Sequence, residues 1–152
     1  GMEKRYQNEV PGYNLRMTDI HAAIGRVQLK KLAGMTDKRI ENANFLTRNL
    51  ETEFVPHVPN GHKHVFHQYT LLLEGTNRDQ LVAYLNERQI PSMIYYPVPG
   101  HRQKMFGLSG NSLPHLPVTD WLTERVVSLP IHTELDQEQL ATITRTVLDF
   151  IG

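Results

Sequence analysis

The stretch Pro11–Leu32, "PGYNLRMTDIHAAIGRVQLKKL", passes from turn residues into an amphipathic helix. Gly12 permits backbone angles closed to other residues, and Asn14 can hydrogen-bond within its own loop. Thr18 is a good N-cap, and Asp19 suits the first helical turn. Ile20, Ala23, Ile24, Val27 and Leu32 recur near the helical period, so the spacing predicts a helix over residues 18–33. Arg16 carries a permanently charged fork suited to phosphate or carboxylate, and an arginine beside a helix N-terminus makes an anion site. Two readings of Asn14 and Arg16 stand side by side. They cap and solvate the start of the helix, or they reach toward an anion outside it.

Downstream, Gly34 interrupts the pattern, and Ile40, Ala43, Leu46, Leu50 and Phe54 predict a second helix that ends before "PHVPNG". "HVFHQYTLLLEG" is rich in aromatic and aliphatic residues and predicts a strand over 64–73. Asn77 caps the helix "RDQLVAYLNERQ", with Leu81, Tyr84 and Leu85 on one face. "IPSMIYY" reads as a short strand broken by "PVPGH", and residues 100–118 as mostly loop. Thr119 then caps a short helix "DWLTER", and "VVSLPI" is another strand. Asp136 caps the last helix with Gln139 in capping-box position, and Leu140, Ile143, Val147 and Ile151 form its buried stripe. Strands mixed with helices in this order predict an α/β domain. A sheet of about three strands is covered by helices on one face. Residues 18–152 form the domain, with a helix pair at its start, and residues 1–17 are a lead-in loop.

The 152-residue chain is long enough for one domain with a real core. Sixteen basic and sixteen acidic residues cancel, which leaves no net positive field to draw in nucleic acid or an anionic membrane. The absence of cysteine removes disulfides, thiolate metal sites and a cysteine nucleophile, and agrees with a reducing cytoplasm. No apolar run approaches the roughly 20 residues of a membrane span, and the start "GMEKRYQNEVPG" does not read as a signal peptide.

Three places can carry chemistry. His62 and His64 fall on one face of a regular strand, where such a pair can bind zinc, but His67 falls on the other face. No carboxylate stands at ligand spacing, so a solvated strand edge is the stronger reading and no metal is expected. In "IYYPVPGHRQ" the tyrosines end a strand, the prolines fix a turn, and His101 and Arg102 emerge from it. Loops after strand ends often bind ligands, while a rigid surface loop with tyrosines in the core is the competing reading. The third place is "GYNLRMTD" itself. There is no nucleophile elbow, phosphate loop or dinucleotide fingerprint.

The opening stretch resembles the segment G-x-N-x-R-M, then A-A-I-G-x-x-Q-L, of the DegT/DnrJ/EryC1/StrS family of pyridoxal-phosphate (PLP) sugar aminotransferases. The likeness continues in order along Tyr13–Ile151. "RIENANFLTRNL" is similar to the family's R-x-x-x-A helix through Arg39, Ala43 and Leu46. "HVFHQYTLLL", "RDQLVAYLNERQI", "YYPVPGHRQKMF" and "VVSLPIHTELDQEQL" each resemble a family segment. Any one motif would be weak, but six in sequence are specific. Two departures stand out: Gln89 replaces the family's glycine before Ile90, and His21 replaces the usual Gln or Glu before Ala22.

The resemblance implies the small C-terminal domain of the aspartate-aminotransferase-type (fold type I) PLP fold. That domain is a small, mostly antiparallel sheet covered by helices and preceded by a helical lead-in. The family's Schiff-base lysine and most of its phosphate ligands lie in a large domain that precedes the matched segment. The resemblance therefore implies no catalytic residue here, and a chain inactive alone that holds no PLP without the large domain. It carries a PLP-phosphate contact to Asn14, with Arg16 as second choice, and substrate contacts to His101 and Tyr95. It implies a homo-oligomer or a separate large-domain chain as partner, and a nucleotide-sugar substrate in the full enzyme. The alternative is a stand-alone binding or interaction module from a truncated or split aminotransferase gene.

Overall fold

Thr18 starts the first helix as the sequence predicts: its Oγ1 accepts the His21 N–H at 3.3 Å, and its carbonyl accepts the Ala22 N–H. In this computed structural model, which describes Pro11, Tyr13 and residues 16–50, 53–75, 77–107 and 114–152, helix α1 then runs unbroken over Asp19–Asn49. The expected helix pair is one helix. A glycine inside a helix costs only about 1 kcal/mol against alanine, and Gly34 sits among the good helix formers Leu32, Ala33 and Met35. The chain divides into two units, Gly1–Gly34 and Met35–Gly152, and α1 contributes residues to both.

In the unit Met35–Gly152, α1 contributes Asn42, Ala43 and Leu46 to the interior. Polar bonds fix its seating. Arg39 donates to the Phe66 and Ile131 carbonyls, Asn42 Nδ2 donates to the His132 carbonyl at 2.8 Å, and Thr47 Oγ1 lies 2.9 Å from the Tyr69 hydroxyl.

Strand β1 is Tyr69–Leu72, shorter than predicted. Residues 64–68 stay outside the strand. Phe66 has φ +45°, and its N–H donates to His64 Nδ1 at 2.9 Å. The turn drives the Phe66 ring into the core, 6.0 Å from Tyr69. His62, His64 and His67 therefore share no strand face, and no metal-binding cluster occurs among the described residues.

Strand β2, Val126–Leu129, pairs antiparallel with β1, Tyr69 opposite Leu129 and Leu72 opposite Val126. Tyr69, Leu71, Val127 and Leu129 are buried, while Thr70 and Ser128 join hydroxyls at 2.8 Å. The predicted strand at 90–96 is reduced to one bridge, Met93 with Ser128, on the other edge of β2. Pro91 and Pro97 bracket that segment and deny it ladder donors, so it pairs at one point only.

Helix α2, Arg78–Glu87, is capped by Asn77, whose side chain accepts from the Asp79 and Gln80 N–H groups. Its end is a Schellman turn: the Ile90 N–H returns to the Leu85 carbonyl and the Gln89 N–H to that of Asn86. Gln89 takes φ +59° there, the left-handed conformation that favours glycine. Helices α3, Lys104–Gly107, and α4, Pro117–Thr123, follow. Helix α4 starts at a proline two residues before the predicted cap Thr119, because proline's missing N–H and fixed φ suit the first helical position. Helix α5, Gln137–Ile151, has the predicted capping box between Asp136 and Gln139. Its buried Leu140, Ile143 and Val147 share one core with Leu81 and Leu85 of α2, and Tyr84 meets Phe150 ring to ring at 5.2 Å. Burying each such leucine contributes about 1.5–3 kcal/mol.

Candidate functional site

Among the described residues, the stretch from Ser92 through α4 holds three buried side-chain atoms without a hydrogen-bond partner: Ser92 Oγ, His101 Nε2 and Asp120 Oδ1. Tyr95 and Tyr96 meet edge to face, with ring centroids 5.7 Å apart, and both line an open, mostly apolar cleft of about 410 Å³. Its far wall is α4, through Thr119, Leu122 and Thr123. Tyr95 is 37% and Tyr96 69% exposed, so neither fills the core. Gln103 Nε2 donates to the Val98 carbonyl at 3.1 Å and closes the turn on itself.

A turn of 3-10 helix, Gly100–Arg102, follows and directs His101 and Arg102 at Asp120 of α4. Arg102 donates to Asp120 Oδ2 at 2.6 Å, and His101 Nε2 lies 3.1 Å from Oδ1. The His101 side chain is only 7% exposed, and Nε2 and Oδ1 are both buried without a hydrogen-bond partner. The Arg102 hydrogen bond, opposed by desolvation and helped by the Arg102 charge, holds the Asp120 carboxyl below the usual carboxylate range.

A second cleft, about 420 Å³, opens on Arg88, His132 and Glu138. Arg88 is already committed there, stacked 3.4 Å over the Tyr84 ring and bonded to the Tyr84 carbonyl. None of the buried unpaired side-chain atoms among the described residues belongs to its lining, so the Tyr95–His101 loop is the better candidate.

The structure sets His101 and Tyr95 on one loop, but Tyr95 faces the cleft whereas His101 turns to α4. Arg16 is exposed in the unit Gly1–Gly34. Asn14 lies outside the described residues. Asp120 is the residue that sequence reasoning missed. It reads as one acid in a short helix, and its 18-residue separation from Arg102 follows no local period.

Comparison with known proteins is consistent along the chain. The family model described as DegT/DnrJ/EryC1/StrS aminotransferase family matches residues 1–148. A UDP-N-acetyl-3-dehydro-alpha-D-glucosamine 3-aminotransferase of Acidithiobacillus ferrooxidans is 39% identical over 97% of this chain and 39% of its own length. A dTDP-3-amino-3,6-dideoxy-alpha-D-galactopyranose transaminase of Aneurinibacillus thermoaerophilus is 29% identical over 97% of this chain and 40% of its own. The crystal structure of a DegT DnrJ EryC1 StrS aminotransferase from Brucella abortus superposes with a TM-score of 0.83 at 33% identity, covering 99% of this chain and 40% of that one. The chain thus spans about two fifths of the length of the relatives it matches.

Proposed function

Because the chain belongs to the DegT/DnrJ/EryC1/StrS aminotransferase family, we propose that it serves as the small C-terminal domain of a PLP-dependent nucleotide-sugar aminotransferase. The observation that carries this reading is the match along almost the whole chain to relatives named for UDP- and dTDP-sugar amination. PLP, when bound in such an enzyme, supplies the electron sink for amino-group transfer. This chain's part is to bind and orient. Arg16 is exposed just before the Thr18 cap of α1, and an arginine beside a helix N-terminus fits the cofactor phosphate. By the family resemblance Asn14 is the first choice for that contact and Arg16 the second. By the same resemblance His101 and Tyr95 are the sugar-nucleotide contacts; Tyr95 lines the cleft, and His101 packs toward α4.

The first half of α1 supplies the partner surface. Ile20, Ile24 and Val27 are each more than half exposed, on one face of the helix, and a large-domain chain or a second copy would cover them. No described helix is long and apolar enough to cross a membrane, and we place the domain in the cytoplasm.

The test is to titrate PLP onto the purified chain and onto Arg16→Ala, then reduce with borohydride and map adducts. We expect no retained PLP on either chain, and no single lysine carrying a pyridoxyl group. A unique lysine adduct at low PLP overturns the view that this domain only assists. A stable complex with another protein that is not an aminotransferase large domain favours the stand-alone interaction module.

A further inference from the structure

His101 Nε2 and Asp120 Oδ1 are both buried, 3.1 Å apart, and neither has another hydrogen-bond partner. Buried polar atoms are nearly always paired. The other Asp120 oxygen is taken by Arg102 at 2.6 Å, so Oδ1 is left facing the imidazole. A small rotation of either group turns the contact into an Nε2–H···Oδ1 bond. The neutral ring carries one proton, and a carboxylate beside one nitrogen decides where it sits.

We propose that Asp120 is a positioning residue for His101: its carboxylate fixes the imidazole proton on Nε2 and so sets the orientation of the ring. The arrangement is a three-member clamp. Arg102 holds the carboxylate and keeps it charged, the carboxylate holds the ring, and the ring anchors the loop that presents Tyr95 to the cleft.

The experiment is proton and nitrogen NMR of the chain carrying ¹⁵N-labelled histidine. We expect a downfield His101 Nε2 proton protected from solvent exchange, together with a pyridine-type Nδ1 signal. Asp120→Leu should speed exchange of that proton by about tenfold or more, the loss of one charge-assisted hydrogen bond, and Asp120→Glu should restore part of the protection. The proton on Nδ1, or no protected Nε2 proton in the unmodified chain, overturns the proposal without any variant having to fold.

Discussion

The two halves of α1 are written in the same pattern and meet opposite fates. Ile20 and Ile24 are 73% and 56% exposed, whereas Ala43 and Leu46 are fully buried. Periodicity announces that a helix has an apolar face, but it does not say what covers that face. In the second half the cover is this chain's own sheet and helices. In the first half it is the partner surface proposed above.

The largest expected effect breaks the comparison directly. Leu46→Ala should lose about 2–5 kcal/mol of stability by chemical denaturation, and Ile24→Ala should stay within about 0.5 kcal/mol. Equal losses would mean that both halves are packed within the monomer. In sedimentation the ranking should invert. Ile24→Lys should dissociate a self-associated chain at concentrations where Leu46→Ala still assembles, and a particle that is monomeric throughout would count against a second copy as the cover.

Asp136→Ala should cost about 1 kcal/mol, because it opens both halves of the α5 capping box. Gln89→Gly should gain up to about 1 kcal/mol by relieving φ +59° at the end of α2, less the added freedom of the unfolded chain. The smallest effect is a pH dependence of the core. Burial pushes the Tyr69 phenol up, against the opposing pull of its Thr47 bond. The raised value favours the neutral form in the fold, so this stability is complete below the ordinary tyrosine value of about 10 and is lost as pH rises through the folded one. Tyr69→Phe should flatten that alkaline slope, and an unchanged slope would assign it elsewhere.

Local chemistry was legible in the sequence. The caps at Thr18, Asn77 and Asp136 each depend on one side chain and its next few neighbours, and all three form. The buried stripe of α5 follows from period alone. What depended on competition between neighbours was not legible. Gly34 loses to the helix formers around it. The positive φ at Phe66 shortens β1, although the residues 64–73 have strand composition. The candidate site divides in the same way: Tyr95 and His101 stood out in their loop, but Asp120, which holds the loop to α4, is joined to it only by the folded chain.

The order of the sheet also sets a timetable. Thr70 and Ser128 pair across 58 residues, and Met93 pairs with the same Ser128 from the other side. The strand that both require is the last of the three to leave the ribosome. Until then β1 and the Met93 segment have open edges, and closing loops of that length slows their capture. Nascent chains stalled before Val126 should therefore recruit chaperones or aggregate, and chains stalled well beyond Leu129 should not.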